Sequence, residues 1–217
     1  MNQAIRAGRQ RLQNGLPIGG GKGPLRQNLL ARRRALPAEQ RAEQNAAIVR
    51  RIRDSARWRT ARTVVAYASL PEEVDTWPLL QAALREGKKL VLPRIERRDI
   101  EWHAVTGLAR GSDLTEGPFG ILEPAPAAQR WRPVPGDEPV LWLIPGVGYD
   151  RCGTRLGHGA GYYDRALRGA QARRNSVGLA YSCQLVEIIP AAPWDWPVES
   201  VVTPDEWIVA ANPSDRR

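Results

Sequence analysis

Residues 143–165 read LIPGVGYDRCGTRLGHGAGYYDR, and this stretch decides how the rest of the chain is interpreted. The apolar run VLWLI at 140–144 leads into it and predicts a central strand that is covered on both faces. Six glycines follow within residues 146–161, and a helix is predicted to begin near Gly161. A buried strand, a glycine-rich connection and a helix are typical of an α/β sheet that binds ligands at the carboxyl ends of its strands.

Two further strands and a helix are predicted upstream of that stretch. TVVAY at 63–67 and LVLP at 90–93 are short apolar runs that predict strands, and TWPLLQAALRE at 76–86 predicts the helix between them. Strands joined by a helix through short links pair in parallel. This part of the sequence therefore predicts a parallel sheet.

The other predicted elements complete the fold class. IEWHAV at 100–105 predicts an edge strand, residues 176–181 predict another strand, and VV at 201–202 predicts the start of the last one. Residues 24–36 predict an amphipathic helix, and Pro37 suits the first turn of a second helix. The apolar face of the second helix is formed by Ile48, Val49, Ile52 and Ala56. The sequence predicts a three-layer α/β/α fold with a mainly parallel central sheet and the N-terminal helices packed on it.

The two ends of the chain differ from its middle. Residues 1–21 are basic and glycine-rich and predict a flexible tail, residues 22–211 a single domain, and residues 212–217 a C-terminal tail. No apolar run approaches the ~20 residues of a membrane-spanning helix, so no membrane partner is expected. The two cysteines, Cys152 and Cys183, form no disulfide framework. A reduced, cytoplasmic setting and a monomeric state are predicted.

The charge of the chain indicates an anionic partner. The 32 Lys and Arg residues exceed the 23 Asp and Glu residues, which gives a net charge of +9. Nucleic acid, an acidic membrane surface and small polyanions all fit such a charge. Eleven arginines fall within residues 26–62, but no common nucleic-acid-binding motif accompanies them. The main interpretation therefore expects no nucleic-acid partner. A basic nucleic-acid-binding protein stays as the less favoured alternative function.

The alternating glycines of residues 157–161 indicate an anion-binding loop. Without Cβ atoms their backbone N–H groups can converge on one anion, and the start of a helix adds its dipole. Arg155 supplies a guanidinium fork for phosphate oxygens, and Asp164 supplies a carboxylate for the Mg²⁺ that accompanies phosphates. The stretch matches neither the Walker A loop nor the Rossmann fingerprint. The alternative is that these glycines only form tight turns.

Residues 145–164 resemble the signature of the 5-formyltetrahydrofolate cyclo-ligase family, P-G-x-x-[FY]-D-x-x-G-x-R-L-G-x-G-x-G-Y-Y-D, and fill each fixed position of it. Similar family motifs are found at 22–26 (KGPLR), 66–76 (AYASLPEEVDT), 92–94 (LPR), 119–124 (FGILEP) and 177–184 (VGLAYSCQ). The resemblance extends over about residues 22–209.

The resemblance implies an ATP-dependent ligase that uses Mg²⁺. Such an enzyme converts 5-formyltetrahydrofolate, polyglutamylated or not, into 5,10-methenyltetrahydrofolate and releases ADP and phosphate. The formyl oxygen attacks the γ-phosphate, and N10 of the folate then closes the ring. Phosphoryl transfer of this kind needs positioning and charge neutralisation, which backbone amides, Lys, Arg and Mg²⁺ supply.

The resemblance also assigns roles to individual residues. The implied ATP-binding residues are Lys22, Arg26, Arg155, Leu156, Gly157, His158, Gly159, Ala160, Gly161, Tyr162 and Tyr163. The implied folate-binding residues are Glu73, Ala68, Phe119 and Tyr162, with the Glu73 carboxylate accepting from the pterin ring. The implied metal ligands are Asp164 and Glu199, where Glu199 replaces the Asp usual in the family. His158 and Ala160 fall at variable positions, where only the backbone is expected to matter.

Plainer interpretations of these residues stay open. Lys22 and Arg26 can be solvated charges on a helix, and Glu73 with its acidic neighbours can be a cluster at a helix N-terminus. A paralogue that binds folate or nucleotide with weak catalytic activity would keep the same fold. The Glu199 departure is the feature that favours such a paralogue.

Overall fold

The computed structural model describes residues 21–97, 99–133, 139–168 and 175–210. The two predicted tails lie outside these residues, except for Gly21, so the domain boundaries stay predictions. The helices are α1 (Lys22–Arg34), α2 (Ala38–Arg53), α3 (Ala56–Thr60), α4 (Trp77–Arg85) and α5 (Tyr162–Ala166). The first strands are β1 (Thr63–Val65), β2 (Lys89–Glu96), β3 (Asp99–Val105), β4 (Leu114–Glu116), β5 (Leu122–Pro124), β6 (Gln129–Trp131) and β7 (Val140–Ile144). The remaining strands are β8 (Gly148–Asp150), β9 (Arg155–Leu156), β10 (Ser176–Leu179), β11 (Leu185–Val186), β12 (Ser200–Val202) and β13 (Trp207–Val209).

One eight-stranded sheet, in the order β13-β12-β10-β7-β1-β2-β3-β6, organises the described residues. Its middle is parallel, because β1 pairs in parallel with both β2 and β7, and β10 pairs in parallel with both β7 and β12. The outer strands are antiparallel. Every residue of β7 is buried, as expected for a strand that is covered on both faces. The predicted mainly parallel α/β sheet is confirmed.

Two predicted edges of the sheet are wrong. β3 does not lie at the edge, because β6 pairs with it from Trp102↔Trp131 to Ala104↔Gln129. β12 is not the last strand, because β13 pairs antiparallel with it. Both added strands have three residues, too few to show an alternating pattern in the sequence.

The first face of the sheet is covered by α2 and α4. Ile48 and Ile52 from α2 join Leu79 and Leu80 from α4 in one buried cluster with Val64 of the sheet. This packing removes large aliphatic side chains from water and supplies most of the stability of such a layer.

The second predicted helix is shorter than expected. It ends at Arg53, and a new helix begins at Ala56, which is exposed and does not extend the apolar face of α2. The Ser55 hydroxyl accepts a hydrogen bond from the Trp58 N–H at 3.1 Å and caps the new helix. Serine is a strong N-terminal cap, which explains why the chain restarts its helix there.

The second face is covered by the β8–β9 hairpin and the short helix α5. The Tyr149 ring packs against the backbone of Gly178, where a Cβ atom would lie 2.3 Å from Cε1 of the tyrosine. The Tyr149 hydroxyl donates to the Ile144 carbonyl at 2.7 Å. The hairpin is therefore attached firmly to the middle of the sheet.

The first helix packs on the small sheet β11-β8-β9. Leu25 and Leu29 of α1 form a separate buried cluster with Val147, Leu156 and Ile189. This arrangement sets α1 beside the glycine-rich stretch that follows β7. In the described residues, no helix has both the length and the hydropathy that a bilayer span requires.

Candidate active site

The candidate site lies at the carboxyl ends of β1 and β7. These strands are parallel neighbours, so the segments that follow them, 66–76 and 145–161, leave the sheet at the same end. Ligands of open α/β sheets bind at this end. The Tyr181 hydroxyl, which follows β10, donates to the Glu73 carbonyl at 2.7 Å and ties a third strand end to the same place.

The glycine loop, residues 157–161, is held against α1 by Arg26. The Arg26 Nε donates to the Gly157 carbonyl at 2.7 Å. A Cβ atom on Gly159 would lie 3.7 Å from the Arg26 guanidinium carbon, and Gly159 has a φ of 110° that other residues rarely adopt. The structure thus brings the predicted ATP-binding residue Arg26 to the predicted phosphate loop.

Arg155 is a buried cation at the base of the glycine loop. Its Nη2 donates to the Asp164 Oδ1 at 2.7 Å, and its guanidinium carbon lies 5.6 Å from the centroid of the Tyr163 ring. In the parts of the chain that the structure describes, the Arg155 Nε has no hydrogen-bond partner. The structure therefore brings together three of the predicted residues, one of them the predicted metal ligand Asp164.

Lys22 begins α1 and pairs with a carboxylate that the sequence analysis missed. Its ammonium group donates to the Asp195 Oδ2, which also accepts the Ala192 N–H at 2.6 Å. Asp195 lies four residues before Glu199 in the run PWDWPVES. The sequence signal that could have pointed to Asp195 is that the short segment around Glu199 holds this second acidic residue.

The structure does not bring the two predicted metal ligands together. Glu199 immediately precedes β12, and its carboxylate accepts from Arg57 Nη1 at 2.7 Å and from the Asn175 N–H at 2.5 Å. Asn175 immediately precedes β10, so this cluster lies at the amino-terminal ends of these strands, whereas Asp164 lies in α5, which follows the glycine loop beyond the carboxyl end of β7. Across the described ranges, no group of three or more His, Cys, Asp or Glu side chains forms a metal cluster.

Glu73 is a mostly buried carboxylate in the segment after β1. Its side chain is 12% exposed, and its Oε2 accepts the Leu70 N–H at 3.0 Å. Burial raises the pKa of Glu73, while the Leu70 N–H and the charge of Arg33 oppose that rise. Its charge also adds to the effect of burial in raising the pKa of Tyr67 and Tyr163.

His158 connects the glycine loop to Glu73. Its Nε2 lies 4.0 Å from the Glu73 Oε1, and its side chain is 57% exposed. Burial and the nearby Arg33, Arg26 and Arg155 lower the pKa of His158. The side chain of this residue, and not only its backbone, therefore faces the site.

Four further predicted residues, Leu156, Ala68, Tyr162 and Phe119, lie in different surroundings. Leu156 packs against α1, so its side chain belongs to the core. Ala68 is buried beyond the end of β1. Tyr162 is half-buried and has the Arg165 guanidinium 5.2 Å above its ring. Phe119 lies in the 3-10 turn Pro118–Gly120, and its side chain is outside the described residues.

The sequence and the fold both match proteins that are already known. A profile of the 5-formyltetrahydrofolate cyclo-ligase family matches residues 19–204. The 5-formyltetrahydrofolate cyclo-ligase of Escherichia coli K12 is 34% identical over 180 residues, which cover 81% of this chain and 98% of that protein. The enzyme of the same name from Mycolicibacterium smegmatis is 35% identical over 160 residues, or 70% of this chain and 78% of that protein. The NMR structure of 5,10-methenyltetrahydrofolate synthetase from Aquifex aeolicus has a TM-score of 0.74 and 32% identity, and covers 88% of this chain and 93% of that chain.

Proposed function

This chain belongs to the 5-formyltetrahydrofolate cyclo-ligase family, whose members are ligases, and we propose from that premise how its site performs the reaction. The substrates are 5-formyltetrahydrofolate and ATP. The formyl oxygen attacks the γ-phosphorus, and the bond from that phosphorus to the bridging oxygen breaks and releases ADP. N10 of the folate then attacks the formyl carbon and loses its proton, and the carbon–oxygen bond breaks to release phosphate and 5,10-methenyltetrahydrofolate.

One contact carries this proposal. The Nε2 of His158, in the glycine loop, lies 4.0 Å from the Oε1 of Glu73. A loop suited to phosphates and a carboxylate suited to a pterin ring therefore lie next to each other at one end of the sheet. Transfer of a phosphoryl group from nucleotide to folate needs this juxtaposition, because the two reacting oxygens must lie in line with the phosphorus.

The nucleotide side of the site neutralises charge. Arg155 and Arg26 place guanidinium groups at the base and side of the loop, and we expect the backbone N–H groups of the loop to donate to phosphate oxygens. Donors fixed in advance by the fold stabilise the charge that develops during phosphoryl transfer without reorganising. Lys22, at the start of α1, extends the same basic surface.

A magnesium ion on the nucleotide side would need carboxylate ligands. Mg²⁺ is typically bound by one or two carboxylates together with substrate phosphates, and Asp164 and Asp195 each pair with a basic residue of the proposed ATP site. We propose that these two residues hold it, in place of the pair that includes Glu199. When bound, the ion would supply positive charge to the phosphate oxygens.

The folate side of the site orients the pterin ring. The Glu73 carboxylate would accept hydrogen bonds from ring N–H groups, as bidentate recognition by a carboxylate allows. This anchoring would hold the formyl oxygen toward the glycine loop. The net charge of +9 also favours folates that carry anionic polyglutamate tails. We further propose that the active form of the enzyme is a monomer.

The test is an absorbance assay. Purified protein, Mg-ATP and 5-formyltetrahydrofolate are mixed, and formation of the methenyl product is followed by its absorbance. We expect product only when both substrates are present, with one ADP formed for each product molecule. Binding of both substrates without turnover would favour the weakly catalytic paralogue, and no product at high enzyme concentration would refute the proposed reaction.

A further inference from the structure

Trp194 is an exposed aromatic side chain to which the proposed reaction gives no role. It is 64% exposed and directly precedes Asp195, whose carboxylate accepts a hydrogen bond from the Lys22 ammonium of the proposed ATP site. A single exposed apolar residue indicates no function by itself. The place of Trp194 in the fold therefore has to carry the argument.

A closed turn, residues 192–195, holds Trp194 in place, and we call it the tryptophan turn. The Asp195 N–H donates to the Ala192 carbonyl at 3.0 Å, and the Asp195 Oδ2 accepts the Ala192 N–H at 2.6 Å. Pro193 restricts the backbone before Trp194. Because Asp195 also accepts from Lys22, the tryptophan turn is anchored on α1 and carries the indole on a short, fixed support.

The contacts along α1 show on which side of the glycine loop the tryptophan turn lies. At the end of α1, the Arg34 Nε lies 3.3 Å from the Glu72 Oε1 in the segment of the proposed folate site. Nearer its start, Arg26 donates to the Gly157 carbonyl of the glycine loop. Lys22, one helical turn earlier, contacts the tryptophan turn. The 13 residues of α1 span about 20 Å at 1.5 Å per residue, so the folate segment and the tryptophan turn lie at opposite ends of this helix.

This order of contacts gives the direction in which ATP extends from the glycine loop. The γ-phosphate has to face the folate, because it is transferred to the formyl oxygen. The ribose and the base therefore extend away from the folate segment, toward the start of α1, where the tryptophan turn lies. Aromatic side chains bind nucleobases by stacking on their flat faces, and an indole offers a large ring for such a contact.

We propose that Trp194 stacks on the adenine ring of ATP and so binds the base, while Lys22, Arg26 and Arg155 act on the phosphates. This inference rests on the proposed function, because it takes the glycine loop to hold the phosphates of ATP. It divides the nucleotide site into a charged part and an aromatic part. The charged part also suits inorganic tripolyphosphate, whereas the aromatic part distinguishes a nucleotide from that anion.

The central experiment compares two ligands on the Trp194→Ala variant. Isothermal titration calorimetry without folate measures the Kd of Mg-ATP and the Kd of Mg-tripolyphosphate, which has three phosphates but no ribose or base. We expect the Kd of Mg-ATP to rise about tenfold, within the range for loss of one stacked base, and the Kd of Mg-tripolyphosphate to stay unchanged. Trp194→Phe should restore most of the affinity for Mg-ATP, because a phenyl ring also stacks.

Ile188→Ala is the matched control, and fluorescence gives a second measurement. Ile188 is 67% exposed and lies between β11 and β12, as Trp194 does, but outside the tryptophan turn. Its truncation should leave the Kd of both ligands unchanged. Stacking on adenine quenches an indole, so Mg-ATP should quench the fluorescence of the unchanged protein more than that of Trp194→Phe. Mg-tripolyphosphate should produce no such difference.

The possible outcomes separate this inference from the proposed function. If Trp194→Ala weakens both ligands equally, the residue only supports the turn that holds Lys22, and the stacking role is wrong. If both Kd values stay unchanged, the adenine ring lies elsewhere and the inference is also wrong. If Trp194→Ala does not fold, equal quenching by Mg-ATP in the unchanged protein and in Trp194→Phe would overturn it. If Mg-ATP does not bind to the unchanged protein at all, the proposed function itself fails.

Discussion

Charged side chains at the two ends of the parallel sheet differ in how completely they are paired. At the amino-terminal end, Arg57 pairs with Glu199 at 2.7 Å, and the Lys88 ammonium donates to two backbone carbonyls at 2.9 Å each. At the carboxyl end, buried nitrogens of Arg33 and Arg155 have no hydrogen-bond partner among the described residues. Both ends are rich in arginine, so composition does not distinguish them.

The difference shows which charges the fold satisfies by itself. Charged groups that only support structure are expected to be paired, because an unsatisfied buried charge destabilises the folded state. Charged groups with perturbed pKa values and incomplete partners are concentrated at functional sites. The carboxyl end of the sheet carries such groups, and an incoming ATP or folate would complete them.

The largest effect is expected from Arg155→Met. We predict that kcat falls about 10³-fold, because removal of one preformed donor to a developing charge costs a factor of this size. The fold should be kept, since the substituted side chain fills a similar volume. The measurement is steady-state formation of the methenyl product, with circular dichroism to check the fold.

Arg57→Met is the matched variant at the opposite end of the sheet. Like Arg155 it removes an arginine paired with a carboxylate at 2.7 Å, and we expect kcat to stay within about twofold because Arg57 is not part of the site. Equal losses of activity in the two variants would contradict the distinction between the two ends.

A smaller effect is expected from two acidic residues that lie close together in the sequence. Asp195→Asn should raise the KM for Mg-ATP about tenfold, as expected when one carboxylate of a metal site is neutralised. Glu199→Gln should leave that KM unchanged and reduce stability by about 1 kcal/mol or less, as for a partly exposed ion pair. Titration of Mg²⁺ at fixed ATP measures the first effect, and urea unfolding measures the second. The reverse result would assign the metal site to Glu199.

The smallest expected effect is a pH-dependent change in melting temperature when Glu73 is replaced. Burial raises the pKa of Glu73 in the folded state, so the folded protein binds this proton more tightly than the unfolded chain does. The stabilisation that this proton gives the folded state is complete below the pKa of Glu73 in the unfolded chain. It is lost as the pH rises through the pKa of Glu73 in the folded protein. Glu73→Gln should therefore melt about 2–4 °C above the unchanged protein at pH 8, and the difference should vanish in acid. A constant difference at all pH values would show that ionisation of Glu73 is not its cause.

The main elements could be predicted because their sequence signals are long. The VLWLI run predicts the position of β7. The glycine-rich stretch after it indicates at which end of the sheet the candidate site lies. Strands β6 and β13 have three residues each and carry no such signal. Ala56 was assigned to the second helix because its spacing fits the apolar face, but a local hydrogen bond at Ser55 ends that pattern.

The site was harder to predict than the fold, because burial decides which charged residues belong to it, and burial depends on the folded chain. The run Arg32-Arg33-Arg34 reads as a solvated helix face, yet the middle arginine is almost completely buried. Its spacing of four from Leu29 was the available signal. Asp195 and Glu199 are chemically similar, and only the folded chain shows which one lies beside Lys22.

The Tyr149–Gly178 contact has a consequence for the motion of the glycine loop. The hairpin that carries the loop is fixed to the sheet at one end, and the N–H groups of Val147 and Asp150 donate to carbonyls of the same hairpin at 2.7 and 3.1 Å. Amide hydrogen exchange there should require opening of the core, whereas exchange at the exposed residues His158, Gly159 and Ala160 should need only local fluctuation. The phosphate loop would then move as a short flexible tip on a rigid support, and nucleotide binding would slow exchange in the tip while leaving the support unchanged.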